Sequence, residues 1–395
     1  MTEPGSTTCA IVGGGPAGMV LGLLLARGGI EVTVFEKHAD FFRDFRGDTV
    51  HPVTLRMLDE LGLFSRFDAL PHTRFEQAGF DLDGRRITVV DFRRLHQPHP
   101  YVALVPQWDL LNLLAEAGRE EPTFTLRMQT EVTGLLRDGD TITGVRFDGP
   151  DGPGELRAEL TVGCDGRTSI IRQAAGLVPR EYPVPFDIGW FRLDRLTDAA
   201  FQLTPRLSRG LALILIPREG YFQAGALLPK GGEQAWQAQG LESFRAQVAE
   251  LVPEASTASL KSWDDVKVLD VRLNRLRRWH RPGLLCIGDA AHAMSPIGGV
   301  GINLAVADAV ATAGRLAEPL RTHHVTDADL EAVQRRRNLP AAVTQAVQRL
   351  AHRVVITRVL QGKVVEAPKQ LGVLAAALYR VMPWLPVIPA YAIGV

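Results

Sequence analysis

The stretch that most constrains this chain lies near its start: "CAIVGGGPAGMVLGLLLARGGIEVTVFEK", residues 9–37. A short apolar run meets three glycines and a proline, an apolar helical pattern follows, and a β-branched run ends on Glu36. Gly13, Gly15 and Gly18 have G-x-G-x-x-G spacing. In such a turn Gly13 permits the tight bend, Gly15 lets a pyrophosphate approach the backbone, and Gly18 lets the helix pack on the strand. Pro16 and Ala17 open that helix, whose dipole favours an anion at this end. Glu36, about 20 residues on and followed by Lys37, stands where a carboxylate holds a ribose hydroxyl and repels a 2′-phosphate. The segment therefore reads as a βαβ unit built for a dinucleotide.

A second glycine turn comes late, in "LLCIGDAAHAMSPIGGVGINLAVADAV", residues 284–310. A strand over 284–287 ends beside Asp289, which is placed to hold ribityl or phosphate-side hydroxyls. Gly298, Gly299, Val300 and Gly301 then open a helix expected over 302–316. Its free N–H groups would face N1 and the C2 carbonyl of a flavin, where negative charge gathers on reduction. NAD has nothing to bind beyond its second ribose and nicotinamide, whereas FAD carries a ribityl chain and three fused rings. Two glycine turns in one chain thus point to FAD. His292 is expected to hydrogen-bond backbone beside the second turn.

The 395 residues suit two intimately packed domains. With 44 basic and 44 acidic residues the formal net charge is zero, which gives no footprint for nucleic acid. Three cysteines are an odd number without metal spacing, and each falls in or beside an expected strand. They read as buried thiols in a reducing cytosol, with no metal site. The N-terminus carries no signal or transit pattern, so a cytoplasmic protein is expected. In residues 371–395 only Arg380 is charged, and Pro383, Pro386 and Pro389 interrupt the apolar run. A packed C-terminal helix with an irregular tail is expected there, without firm membrane association.

Helices are expected over 17–27, 49–61, 108–119 and 241–251, and from 284 onward the helical pattern dominates. Strands fill 124–162, where "DGPDGPGE" is a hairpin loop with no helix behind it. Mixed strands occupy 182–271.

Three motifs, "GGGPAG", "CDGRTSIIR" and "GDAAHAMSPIGGVGIN", occur in the order found in FAD-dependent monooxygenases of the aromatic hydroxylase type, and the chain resembles that family over most of its length. The third motif is usually P-x-x-G-x-G-x-N; here it runs from Pro296 through Gly299, Val300, Gly301 and Ile302 to Asn303, with Val300 a mild departure. The resemblance implies an α/β fold, a Rossmann-like FAD-binding domain with an inserted sheet-rich substrate domain and C-terminal helices. It assigns the FAD domain to 1–75, 102–180 and 280–345, the substrate domain to 76–101 and 181–279, and a helical segment to 346–395. It also implies that Arg46 reaches the pyrophosphate, that Gln107 covers FAD and that the backbone of Val132 meets the adenine. Asp165 and Arg167 match an Asp-Gly motif linked to flavin and nicotinamide binding.

By the same resemblance the chain is a single-component monooxygenase. NADH or NADPH reduces the flavin by transient docking, since no second strand–G-x-G-x-x-G–helix unit exists. Molecular oxygen then forms a C4a-hydroperoxide that hydroxylates an electron-rich substrate. The apolar strands "FDIGWFRLDR" and "LALILIP" suit an aromatic, polycyclic or polyketide-like molecule. His51 and Tyr221 are the candidate catalytic groups, and Trp190 a further pocket residue. A monomer or homodimer is expected. The alternatives are an FAD-dependent reductase of an isoprenoid or other apolar substrate, and a halogenase-like enzyme, although the W-x-W-x-I-P halogenase motif is absent.

Overall fold

The computed structural model describes residues 5–42, 49–82, 85–197, 205–208 and 211–361. Two compact units divide the chain. One comprises Met1–Arg43, Gln107–Tyr182 and Arg272–Ala346; the other comprises Asp44–Pro106, Pro183–Val271 and Val347–Val395.

In the first unit, β1 (Ser6–Val12), α1 (Pro16–Arg27) and β2 (Val32–Phe35) form the βαβ start. Cys9, Ala10 and Ile11 are fully buried, as a central strand requires. Then come α2 (Gln107–Arg119), β3 (Phe124–Arg127), β4 (Glu131–Asp138), β5 (Thr141–Gly149), β6 (Gly152–Gly163) and the short α3 (Ile170–Ala174). The unit closes with β7 (Leu284–Cys286), α4 (Gly301–Arg321) and α5 (Asp327–Ala351), whose last turn lies beyond the unit's boundary. The parallel strands run in the order β7-β6-β1-β2-β3. β5 and β4 add to β6 as an antiparallel flap, and Gly149 faces Gly152 across the "DGPDGPGE" hairpin. α1 packs against both α2 and α4.

The second unit is built on antiparallel pairing. Pro205–Ser208, Leu211–Pro217, Tyr221–Pro229, Phe186–Arg195 and Ala255–Ser256 form one sheet, to which Lys267–Leu269 adds along Phe186–Arg195. Phe191, Leu193, Leu213, Leu215 and Phe222 share a core with Phe244 and Val248 of the helix Leu241–Leu251 and with Trp236. Trp236 meets Phe244 edge-on at 4.7 Å between ring centroids. Burying each such side chain contributes roughly 1.5–3 kcal/mol. Residues of the intervening parity, Phe186, Ile188 and Trp190, are also buried. Trp190 lies over Gly225, where a Cβ would come within 2.8 Å of the indole ring.

The helix expected from residue 49 begins at Pro52 instead. His51 precedes a proline and is held extended (φ −88°, ψ 164°), because the proline ring disfavours the helical region for the residue before it. Thr49–Val50 consequently pairs as a strand with Val102–Leu104, which also pairs with Thr73–Phe75. That shared strand groups residues 44–106 in one unit, where the sequence division separates 75 from 76 and 101 from 102. The helix expected over 302–316 starts at Gly301 and continues to Arg321. Residues 362–395, with the whole apolar run 371–395, lie outside the described residues.

Candidate functional site

Register brings the separate motifs together in the first unit. Val12 pairs with Phe35 on one side and Gly163 on the other, and Gly163 pairs in turn with Cys286. The residues that follow each strand therefore emerge in one row at the carboxyl edge of the sheet. Backbone hydrogen bonds continue the row: Gly13 N–H to Phe35 O at 2.8 Å, Cys164 N–H to Val12 O at 2.7 Å and Ile287 N–H to Gly163 O at 3.0 Å. In open parallel sheets this edge is where ligands bind.

The first turn is held by close approach. Gly13 has φ +107°, and a Cβ there would lie 2.5 Å from Cys164 O. At Gly18 a Cβ would sit 2.0 Å from Gly13 O, so α1 passes directly over the turn. Gly15 is different: it is the N-cap of α1, brings no side-chain cap, and a Cβ there meets nothing within 4 Å. Pro16 at the first helical position lacks an N–H, and the first turn of a helix leaves its other N–H groups without intrahelical partners. An open space thus faces a positive helix end.

Glu36 follows β2 directly, beside this turn. Its carboxylate accepts the Gly14 N–H at 3.1 Å through Oε2 and the His38 N–H at 3.1 Å through Oε1. Lys37 lies on the surface, 3.7 Å from Glu131. Glu36 O also accepts the Thr130 N–H, which brings the start of β4 alongside; Val132 there is buried, opposite Phe147 at a register shift. Gln107 is the first residue of α2.

The Asp165 carboxylate serves its own loop. Oδ1 accepts from Ser169 Oγ at 2.5 Å and Oδ2 from the Ile171 N–H at 3.1 Å, which caps α3. Burial raises its pKa, partly offset by these hydrogen bonds. Arg167 Nε approaches Asp289 Oδ2 at 3.9 Å. Arg172, buried in the same motif, donates to Arg167 O at 2.8 Å and to Ala290 O at 3.0 Å, tying the second motif to the third.

In the third motif, Gly299 N–H donates to Pro296 O at 3.0 Å, and Asn303 Nδ2 donates to Gly299 O at 3.4 Å. Gly298 and Gly299 have φ of +84° and +61°. Val300 caps α4 without a side-chain hydrogen bond, Ile302 is buried, and a Cβ on Gly301 meets nothing within 4 Å. A second uncapped helix end thus faces open space. His292 does not bond backbone through its ring as expected. Its Nε2 lies 2.5 Å from Oδ2 of the buried Asp308, which also accepts the Gly288 N–H at 3.0 Å, while Asp308 Oδ1 accepts from Arg337 Nε at 2.7 Å.

Arg46 lies outside the described residues. His51 and Tyr221 belong to the second unit. His51 is buried with its ring edge-on to Phe92, and Tyr221 lies under the Arg192 guanidinium at 4.3 Å. Sequence reasoning gave no part to Arg172, Asp308 or Arg337. Arg172 at least sits inside a quoted motif, but the partners of Asp308 are 16 to 29 residues away along the chain.

Residues 6–347 match a family model described as FAD binding domain. The 6-methylpretetramide 4-monooxygenase of Streptomyces rimosus is 37% identical over 363 residues, covering 89% of this chain and 85% of the relative. The 12-dehydrotetracycline 5-monooxygenase/anhydrotetracycline 6-monooxygenase of Streptomyces rimosus subsp. rimosus is 30% identical over 325 residues; the match covers 76% of this chain and 60% of that protein. Among solved structures, anhydrotetracycline hydroxylase OxyS from Streptomyces rimosus superposes with a TM-score of 0.76 at 21% identity, covering 98% of this chain and 76% of that one.

Proposed function

The chain belongs to the FAD binding domain family, and on that premise we propose that it is an FAD-dependent monooxygenase that hydroxylates a polycyclic aromatic polyketide, with NAD(P)H as reductant. The alignment of four strand ends, with two uncapped helix N-termini opening onto space, is the observation that carries this reading. The residues present fit the cofactor. Gly15, Pro16, Ala17 and Gly18 would take the pyrophosphate, with Gly13 and Gly18 keeping the turn tight. Glu36 would take the adenosine ribose and the Val132 backbone the adenine. Asp289 would take the ribityl side, and the turn from Pro296 through Gly299, Val300, Gly301 and Ile302 to Asn303 the ring. Lys37 and Gln107 would border the same groove, and Arg46 the phosphates.

When bound, FAD would supply hydride acceptance from a nicotinamide and the activation of oxygen for hydroxyl transfer. The protein's own share is positional and electrostatic. The N–H groups at the start of α4 would stabilise charge developing on a reduced ring, and the paired Arg167 and Asp289 keep their local charge balanced. Asp165, whose oxygens accept from Ser169 and Ile171, shapes the loop that would border the cofactor.

The substrate class rests on the pretetramide relative together with the apolar strands of the second unit. Trp190 adds a buried indole N–H without an acceptor among the described residues, a donor suited to a polyketide carbonyl. His51 and Tyr221 are kept as pocket candidates without an assigned proton transfer. The three thiols are free and buried, in keeping with a reducing cytoplasm. Among the described residues no helix is long and apolar enough to cross a membrane.

Anaerobic mixing of the holoenzyme with NADH or NADPH tests this reading, followed by flavin bleaching with and without tetracyclic phenols. Acceleration by such a ligand is expected, and oxygen uptake should then match hydroxylated product. Flavin that neither nucleotide reduces, with or without ligand, would overturn it.

A further inference from the structure

One buried cluster is not used by the cofactor contacts above. Asp308 lies two turns into α4 and is fully buried. Burial works to raise its pKa, but the proximity of His292 and Arg337 and their hydrogen bonds outweigh this and hold it below the ordinary range. Removing a carboxylate from water costs several kcal/mol unless its charge is matched and its lone pairs are filled. Arg337 supplies the charge through Oδ1, and Gly288 N–H and His292 Nε2 fill Oδ2. His292 Nδ1 is buried without a partner, and the ring packs against Trp279 at 5.0 Å. Both carboxylate oxygens of Asp308 thus have partners from this chain, His292 meeting one of them through Nε2.

What the cluster holds is the second cofactor turn. Gly288 has φ +60°, and a Cβ there would crowd Ala17 at 3.2 Å and Ala305 at 3.4 Å. In this left-handed conformation its N–H meets Asp308 Oδ2 at 3.0 Å, one residue before Asp289 in the turn Gly288–Ala290. Asp308 rides on the same helix as Gly301, so one carboxylate fixes Asp289 relative to the N–H groups at the helix start. Arg337, from α5, braces that carboxylate from the other side.

We propose that Asp308 is a positioning residue for the flavin: braced by Arg337 and His292, it fixes the spacing of Asp289 and the start of α4, and so sets how much more tightly the site holds reduced than oxidised flavin. This rests on the FAD reading above. Loosening the brace should weaken FAD binding and lower the two-electron potential. A tenfold loss of preference for the reduced form corresponds to about 30 mV.

The test uses apoprotein titrated with FAD and holoenzyme poised against redox dyes, for wild type, Asp308→Asn, Arg337→Met and Arg337→Lys. Hydrogen exchange of residues 288–292 is measured in parallel. Asp308→Asn and Arg337→Met should bind FAD at least tenfold more weakly, lower the potential by about 30 mV or more, and exchange faster at the turn. Arg337→Lys should recover most of each effect, and the Arg337 pair decides the matter if Asp308→Asn does not fold. A folded Arg337→Met holoenzyme with wild-type affinity, potential and exchange overturns the positioning role and leaves the FAD reading standing. Wild-type protein that takes up no FAD overturns the FAD reading instead.

Discussion

Replacing Gly15 by alanine separates what the first glycine turn does for the fold from what it does for the cofactor. Gly15 has φ −75° and ψ −177°, extended backbone that any residue adopts, and its Cβ would meet no atom within 4 Å. Alanine is a poorer N-cap than glycine by about 0.5–1 kcal/mol, while the lost unfolded-state freedom of glycine returns about 0.4–1 kcal/mol. The apoprotein should therefore keep its stability to within about 0.5 kcal/mol. The methyl group would, however, fill the space in which a pyrophosphate meets the start of α1. Losing one charge-assisted hydrogen bond costs about 1.5–3 kcal/mol, or about 10- to 100-fold in Kd. At a concentration of 100 wild-type Kd, FAD stabilises the native state by about 2.7 kcal/mol, and a 100-fold weaker site retains only about 0.4 kcal/mol of that. Differential scanning calorimetry with and without FAD reads both quantities. Gly18→Ala is the contrasting control. Its Cβ would sit 2.0 Å from Gly13 O, well short of ordinary contact, so stability should fall by about 1–3 kcal/mol along with affinity. A Gly15→Ala protein that gains as much from FAD as wild type would refute the placement of the pyrophosphate.

Three further outcomes follow from buried groups. Desolvation raises the pKa of Cys9, Cys164 and Cys286, so no thiol should react with Ellman's reagent at pH 8 in the native state, and three should react after unfolding. Burial depresses His280 and His352, which means the unfolded chain binds protons first. Stability should fall as pH drops below about 6.5, and fall again below about 4 as the depressed Asp308 is protonated, a profile that urea titration would show. Arg172→Met removes two charge-assisted bonds, one within the second motif and one from it to the third, and should cost about 3 kcal/mol in urea unfolding; a cost under about 1 kcal/mol would mean the tie is idle.

The parts of the site readable in sequence are those whose physics is local. A strand, a glycine turn and a helix declare themselves within residues 9–37, because each step depends on neighbours in the chain. Glu36 is legible for the same reason, since β2 fixes its distance from Gly14. Asp308 is not: it sits among Ala305, Ala309 and Thr312 in what reads as an ordinary small-residue helix face, and only tertiary packing delivers Gly288, His292 and Arg337 to it. At Asp165 the motif is legible but its local work is not: its oxygens accept from Ser169 Oγ and from the Ile171 N–H of α3, partners that only the folded loop delivers. The pairing of Val102–Leu104 with two strands from either side of residue 70 was likewise invisible, since three-residue strands carry too little pattern to declare partners.

The placement of β7 has a consequence for the order of events during synthesis. β7 joins the sheet beside β6, yet the two are separated in sequence by the segment Pro183–Val271 of the second unit. While a chain is still being made, Thr161–Gly163 forms an unpaired edge until residues 284–286 have left the ribosome. Exposed edges of this kind invite pairing with other chains. The first unit thus cannot close vectorially from its N-terminus, and Arg337, which braces its cofactor turn, arrives later still. Premature termination anywhere before β7 should yield aggregating fragments rather than a smaller flavoprotein, however intact their first glycine turn.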